Sequence, residues 1–262
     1  MGTVTYRDGI AIIQLAVFPV LLLCAVFIWK RTGWKAAGST WRFVITLSLL
    51  RIIGAICTLV TISNQSTSLY ITVAVCELIG IAPLTLTYIG LLKQIGIKTK
   101  LHRWFLPGVS LTSLTGLILG IVGISIYNDT TGTFHATGIV KAALVIFLVV
   151  FAVVLLTAVW LFLQLRQSGI TAVQKKLFLA IAFSSPFLLV RMVYAAIGDF
   201  ANDPRFVVFT GNATIYLCMD VLEEIIAVAL CVGFGMSAVF ENEHEQRLAR
   251  RGEFPVGSEA KA

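Results

Sequence analysis

Three carboxylic acids lie close together in one apolar stretch near the C-terminus of the sequence. Asp220, Glu223 and Glu224 occupy a single helical turn of residues 214–240, and the spacing of four places Asp220 and Glu224 on one helix face. Three carboxylates at this spacing cannot all be ionised in apolar surroundings unless cations compensate, so we expect at least one to keep its proton. A buried acid of this kind is what proton-donating chemistry requires.

Three further charged residues, Arg51, Glu77 and Arg191, interrupt other apolar stretches. At about 1.5 Å of rise per residue they fall in the same layer as the acids, roughly 9 to 17 Å from the outer ends of the stretches. An ionisable group in lipid costs at least about 2.5–3.5 kcal/mol, so each needs a partner or a function. Tyr194 follows Arg191 by three residues, and Tyr216 precedes the acids by one turn. We therefore predict a catalytic set of Asp220, Glu223, Glu224 and Glu77, and a substrate-binding set of Arg51, Arg191, Tyr194 and Tyr216.

The composition identifies the chain as a membrane protein. Of 262 residues, 58% are hydrophobic and 13% are charged, against about 45–50% and about 25% in soluble domains. This excludes a soluble enzyme, a secreted disulfide scaffold and a disordered chain. A bilayer-crossing helix needs roughly 20 apolar residues, and seven stretches meet this: 10–29, 43–62, 69–92, 105–127, 139–162, 177–198 and 214–240. The sequence predicts an all-α, seven-helix membrane domain over residues 1–240 and a cytosolic tail over 241–262.

The distribution of charge predicts the orientation of this bundle. Of the 20 Lys and Arg residues, only Arg7, Lys141 and Arg205 lie in the N-terminal segment and the loops on its side of the membrane. The positive-inside rule then places the N-terminus outside and the C-terminus in the cytosol. Three glycosylation sequons lie on the predicted outer side, at Asn64, Asn128 and Asn212.

The sequence predicts no metal site, no cofactor and no nucleic-acid partner. All five cysteines lie within predicted helices, without metal-ligand spacing, and the three histidines lie in separate loops or the tail. The net charge of +7 is accounted for by cytosolic loops that face anionic lipid. The predicted partners are the lipid bilayer and a lipophilic small molecule, in the endoplasmic reticulum or the plasma membrane.

Four stretches, together with Glu224, carry a resemblance to a known family: 6–14, 50–54, 80–92 and 186–194. They resemble a fungal seven-helix membrane family known only as a domain of unknown function. The resemblance extends over nearly the whole chain and implies a fungal polytopic protein, with no activity attached. In size and helix number alone, the chain is also similar to fungal lipid-translocating exporters and to integral-membrane terpene cyclases, which protonate their substrates with buried carboxylic acids.

The acidic surplus favours an enzyme that cyclises or isomerises a lipophilic, isoprenoid-like substrate inside the bilayer, as in fungal secondary metabolism. Such chemistry needs a buried acid, a counter-base and a dry pocket. Asp220 or Glu224 would donate the proton, Glu223 would be its partner, and Glu77 would act as a base or stabilise a cation. Arg51 and Arg191 would form ion pairs with these acids and keep them in place.

Two other interpretations stay open. A non-enzymatic seven-helix protein could sense or transport a lipid or small amphiphile, with the acids as a proton relay. The buried ion pairs could instead be architectural and pin the helices together. No lysine lies deep in the seventh stretch, so a retinal-binding opsin is excluded.

Overall fold

The computed structural model describes residues 5–33, 38–63, 66–96, 104–125, 138–201, 205–206 and 211–251, and this part of the chain contains helices and no strands. The α-helices are α1 (Tyr6–Thr32), α2 (Gly38–Val60), α3 (Thr67–Ile79), α4 (Ile81–Ile95), α5 (Phe105–Ser125), α6 (Gly138–Ser168), α7 (Ala172–Ala196), α8 (Ala213–Tyr216) and α9 (Leu222–Arg251). Two π-helical turns, Ile197–Ala201 and Leu217–Val221, continue α7 and join α8 to α9.

Six helical segments are long and apolar enough to cross a membrane. They are Tyr6–Thr32, Thr40–Val60, Val75–Ile95, Phe105–Ile124, Gly138–Gln167 and Ala172–Ala201. The prediction of an all-helical, multi-pass membrane protein is thereby confirmed, and outward-facing side chains such as Leu23 and Leu156 suit contact with lipid. The seventh predicted stretch, 214–240, is helical from Ala213 onward, while the count of seven spans and the orientation stay predictions.

Helix α4 is the centre of the bundle. Every residue of 81–92 is buried, so this helix has no lipid-facing side there. The predicted stretch 69–92 is divided into α3 and α4 at Gly80. The physical reason is Pro83, which has no N–H for the carbonyl of Ile79 and whose ring crowds that carbonyl.

Helix α9 runs antiparallel to α7 along most of its length. At one end the Lys176 ammonium lies 2.7 Å from a carboxylate oxygen of Glu241. Toward the other end Arg191 Nε lies 3.0 Å from Asp220 Oδ1. This packing brings the acids of the C-terminal helix against the arginine of α7.

Candidate functional site

Five charged side chains, each from a different helix or turn, meet in the interior of the bundle. We call Arg51 of α2, Glu77 of α3, Arg191 of α7, Asp220 of the second π turn and Glu224 of α9 the charge network. Both arginines and Glu224 are only 1% exposed. Such burial is tolerated only where charges are paired and hydrogen-bonded, which makes the contacts within the network decisive.

The Arg51 guanidinium contacts all three acids of the network. Its Nε donates a hydrogen bond to Glu224 Oε1 at 2.8 Å, and its two terminal nitrogens donate to Glu77 and to the second oxygen of Glu224. The second of these nitrogens also lies 3.7 Å from Asp220 Oδ2. The Glu224 contact is therefore the bidentate fork that a guanidinium and a carboxylate form best.

Arg191 closes the network from the other side. Its Nη1 donates to Glu224 Oε2, the oxygen that also accepts from Arg51 Nη2. Its Nη2 donates to the backbone carbonyl of Glu77 at 3.2 Å. The contact of Nε with Asp220 is an ion pair rather than a hydrogen bond, because the N–H is not aimed at the oxygen. Glu224, held between two guanidiniums, is the anionic centre of the network.

The other two acids, Glu77 and Asp220, face the two terminal nitrogens of Arg51, and we call them the carboxyl pair. The network therefore contains three carboxyl groups and two guanidiniums. If one carboxyl group carries a proton, the network has a net charge of zero, which is the state that a low-dielectric interior favours.

Gly80, at the break between α3 and α4, makes room for both arginines. A Cβ on this residue would lie 2.6 Å from Arg191 Nη2 and 2.8 Å from Arg51 Nη2. Sequence reasoning missed Gly80 as a site residue. The available signal was its position three residues before Pro83, because a proline inside a helix disrupts the turn that precedes it.

The two predicted tyrosines lie against one side of the charge network. Tyr194 and Tyr216 pack with Ile10 and Val221, and Phe206 packs against them. We call these five residues the aromatic cap. The rings of Tyr194 and Phe206 are 5.9 Å apart, and Val221 follows Asp220 in the sequence, so the cap offers aromatic surface next to the charge network.

The N-terminal helix is tied to this cap. The Arg7 guanidinium lies 5.9 Å from the centre of the Tyr216 ring and donates a hydrogen bond to the carbonyl of Gly211 at 2.7 Å. It therefore joins the start of α1 to the segment that leads into the C-terminal helices.

Glu223 lies outside the charge network. Within the part of the chain that the structure describes, it forms no ion pair with Arg51 or Arg191, and its buried Oε2 has no hydrogen-bond partner. Of the three acids on the C-terminal turn, the fold thus brings only Asp220 and Glu224 together. A catalytic role for Glu223 stays a prediction.

Of the three predicted glycosylation sites, only Asn212 lies within the described residues. Asn212 begins α8, and its side-chain oxygen accepts from the Thr214 N–H at 2.9 Å. Asn64 and Asn128 fall outside the described residues. Among the side chains that are described, no group of three or more His, Cys, Asp or Glu residues is arranged to hold a metal ion.

Apolar helices long enough to cross a membrane, around a buried ionic cluster, define a multi-pass membrane protein with polar chemistry in its interior. Residues 4–241 match the family described as Domain of unknown function (DUF7702), and the chain belongs to that family. The expected relation to an uncharacterised family is confirmed over nearly the whole chain, whereas the fungal origin stays a prediction. No curated protein and no solved structure matches the chain.

Proposed function

We propose that this membrane protein is an acid catalyst that cyclises or isomerises a lipophilic, isoprenoid-like substrate within the bilayer, as an enzyme of secondary metabolism. The observation that carries the proposal is the surplus of acid in the buried network, where three carboxyl groups meet two guanidiniums, so that a neutral network holds one proton. Both side chains of the carboxyl pair are largely shielded from solvent. A buried carboxylic acid that keeps its proton can protonate an alkene or epoxide at a site from which water is excluded.

The residues around the carboxyl pair have separate roles in this mechanism. The pair gives its proton to the substrate, which becomes a cation, and the network then carries one uncompensated negative charge beside it. The faces of Tyr194 and Tyr216 stabilise the cation further. Loss of a proton from the rearranged cation returns that proton to the pair, so the reaction consumes no acid. Glu224 and the two arginines hold the pair in place and transfer no proton.

The test is a comparison of lipid extracts by mass spectrometry in a host that lacks the gene. Wild-type chain is expected to convert a precursor into an isomeric product. Asp220→Asn keeps the shape of the pair but removes its proton, and we expect at least about a 100-fold loss of product. Asp199→Asn is the matched control, because Asp199 lies in the π turn after α7, outside the network. Full product with Asp220→Asn, or equal loss with both variants, would overturn the proposal.

A second candidate function is proton-linked transport or sensing of a lipid or small amphiphile. It is favoured by the position of the charge network at a helix break and a π turn, where helices rearrange most easily. In this case the isomer profile would not depend on the gene. Movement of a fluorescent lipid across vesicles containing the protein would instead depend on pH and would stop in Asp220→Asn.

We also propose seven spans, with the N-terminus outside. Two observations support a seventh span. The second π turn and α9 together follow α7 from Asp220 to Glu241, about 31 Å at 1.5 Å per residue, and α7 itself lies in a candidate span. Helix α1 accompanies α9 in parallel, with Arg31 Nη1 lying 3.1 Å from Glu243 Oε1 at the far end. An odd number of spans places the termini on opposite sides of the membrane. The excess of Lys and Arg in the loops and tail on the C-terminal side favours a cytosolic C-terminus.

A further inference from the structure

A groove opens between α7 and α9 at the end of the bundle opposite the charge network. Its volume is about 570 Å³, and it is bordered by both polar and apolar side chains. Lys176, on its border, lies about 22 Å along α7 from Arg191 at 1.5 Å per residue. The groove is thus separate from the site proposed above.

The polar part of the groove is a pair of opposite charges. The Lys176 ammonium donates to Glu241 Oε2 at 2.7 Å and to the carbonyl of Ser237 at 3.2 Å. An ammonium has three N–H donors, so a third is available for a ligand. The Lys176 ammonium also holds the pKa of the Glu241 carboxyl below its usual range, which keeps the carboxylate anionic. His244 adds a further nitrogen to this border.

The apolar part of the groove has room for a hydrocarbon chain. Phe240 and Met236 line it, and a Cβ built on Gly233 would meet nothing within 4 Å. Because Gly233 lies two turns before Glu241 on the same helix, the open strip leads away from the charged pair toward the middle of the bundle.

We propose that this groove binds a phospholipid whose headgroup carries both a phosphate and a primary amine. The phosphate would accept from Lys176 and His244, the amine would donate to Glu241, and an acyl chain would lie over Gly233. A cation and an anion held side by side are the complement of a dipolar headgroup. Free phosphate would leave the apolar strip without a contact, so a lipid is the better occupant.

Native mass spectrometry of the full-length protein in detergent tests this proposal with added lipids. We expect phosphatidylethanolamine to bind about tenfold more tightly than phosphatidylglycerol, which has the phosphate without the amine. Lys176→Gln should weaken phosphatidylethanolamine binding by about tenfold, whereas Lys175→Gln, the exposed neighbour outside the groove, should leave it unchanged. Glu241→Gln should remove the preference between the two lipids.

The apolar strip has its own pair of variants. Gly233→Leu would fill it and reduce binding of both lipids, while Gly108→Leu, at a helical glycine of α5 with equally open surroundings, would not. Equal binding by Lys176→Gln and Lys175→Gln, or no preference in the wild-type protein, would overturn the proposal. Asp220→Asn should bind lipid normally, so failure of this site and failure of the proposed catalysis are distinguishable.

Discussion

The three acids of the charge network are chemically alike, yet their surroundings separate their roles. Glu224 offers both oxygens to guanidinium donors and has no donor of its own to satisfy. Asp220 forms only ion pairs with the guanidiniums, at 3.0 and 3.7 Å and without a hydrogen bond, so we assign the proton of the network to the carboxyl pair that contains it. Replacement of each acid by its amide should distinguish an anionic anchor from a proton carrier.

We expect Glu224→Gln to lower the free energy of unfolding by about 3 kcal/mol, because the amide NH₂ would point donors at the donors of Arg51 or Arg191. Asp220→Asn should change stability by less than about 1 kcal/mol, because the amide supplies a donor where the proton was and the network stays neutral. Thermal unfolding of both variants in one detergent measures the difference. Equal losses would mean that the three acids act as one architectural cluster.

At the level of helices, one physical constraint is enough to predict from the sequence that the charge network forms. Charges at similar depth in apolar helices must find one another, because lipid offers them no alternative. That constraint does not predict whether Glu223 belongs to the network, because the directions in which the acids of this segment point depend on the π turn that precedes α9. It also does not identify Gly80, because only the fold reveals which glycine faces the two guanidiniums.

Gly80→Ala tests the importance of the break between α3 and α4. The new methyl group would force both guanidiniums away from the backbone, and the contact with the carbonyl of Glu77 would be lost. We expect a loss of about 1–3 kcal/mol in unfolding free energy together with a loss of activity. Gly108→Ala, with open space around it, should instead be neutral or stabilising by up to about 1 kcal/mol. Unaltered thermal stability of Gly80→Ala would show that the arginines can move without cost.

At the level of the whole molecule, the orientation decides which compartment each site faces. The proposed topology places the aromatic cap toward the outer side and the lipid groove toward the cytosol. The sequence carries its own markers for this question, since Asn64 and Asn128 are sequons on the predicted outer side. Asn212 is a weaker marker, because its side-chain oxygen already accepts a hydrogen bond as the N-cap of α8.

In a glycosylating host, we expect the double variant Asn64→Gln with Asn128→Gln to lose the endoglycosidase-sensitive shift in gel mobility. Asn212→Gln should leave that shift unchanged, because this residue lies at the start of the last predicted span. Val256→Asn creates a sequon with Gly257 and Ser258, and it should stay unmodified because the positive-inside rule places the tail in the cytosol. Glycosylation of this engineered site would show that the orientation is the opposite of the proposed one. The compartments assigned to the aromatic cap and the lipid groove would then be exchanged.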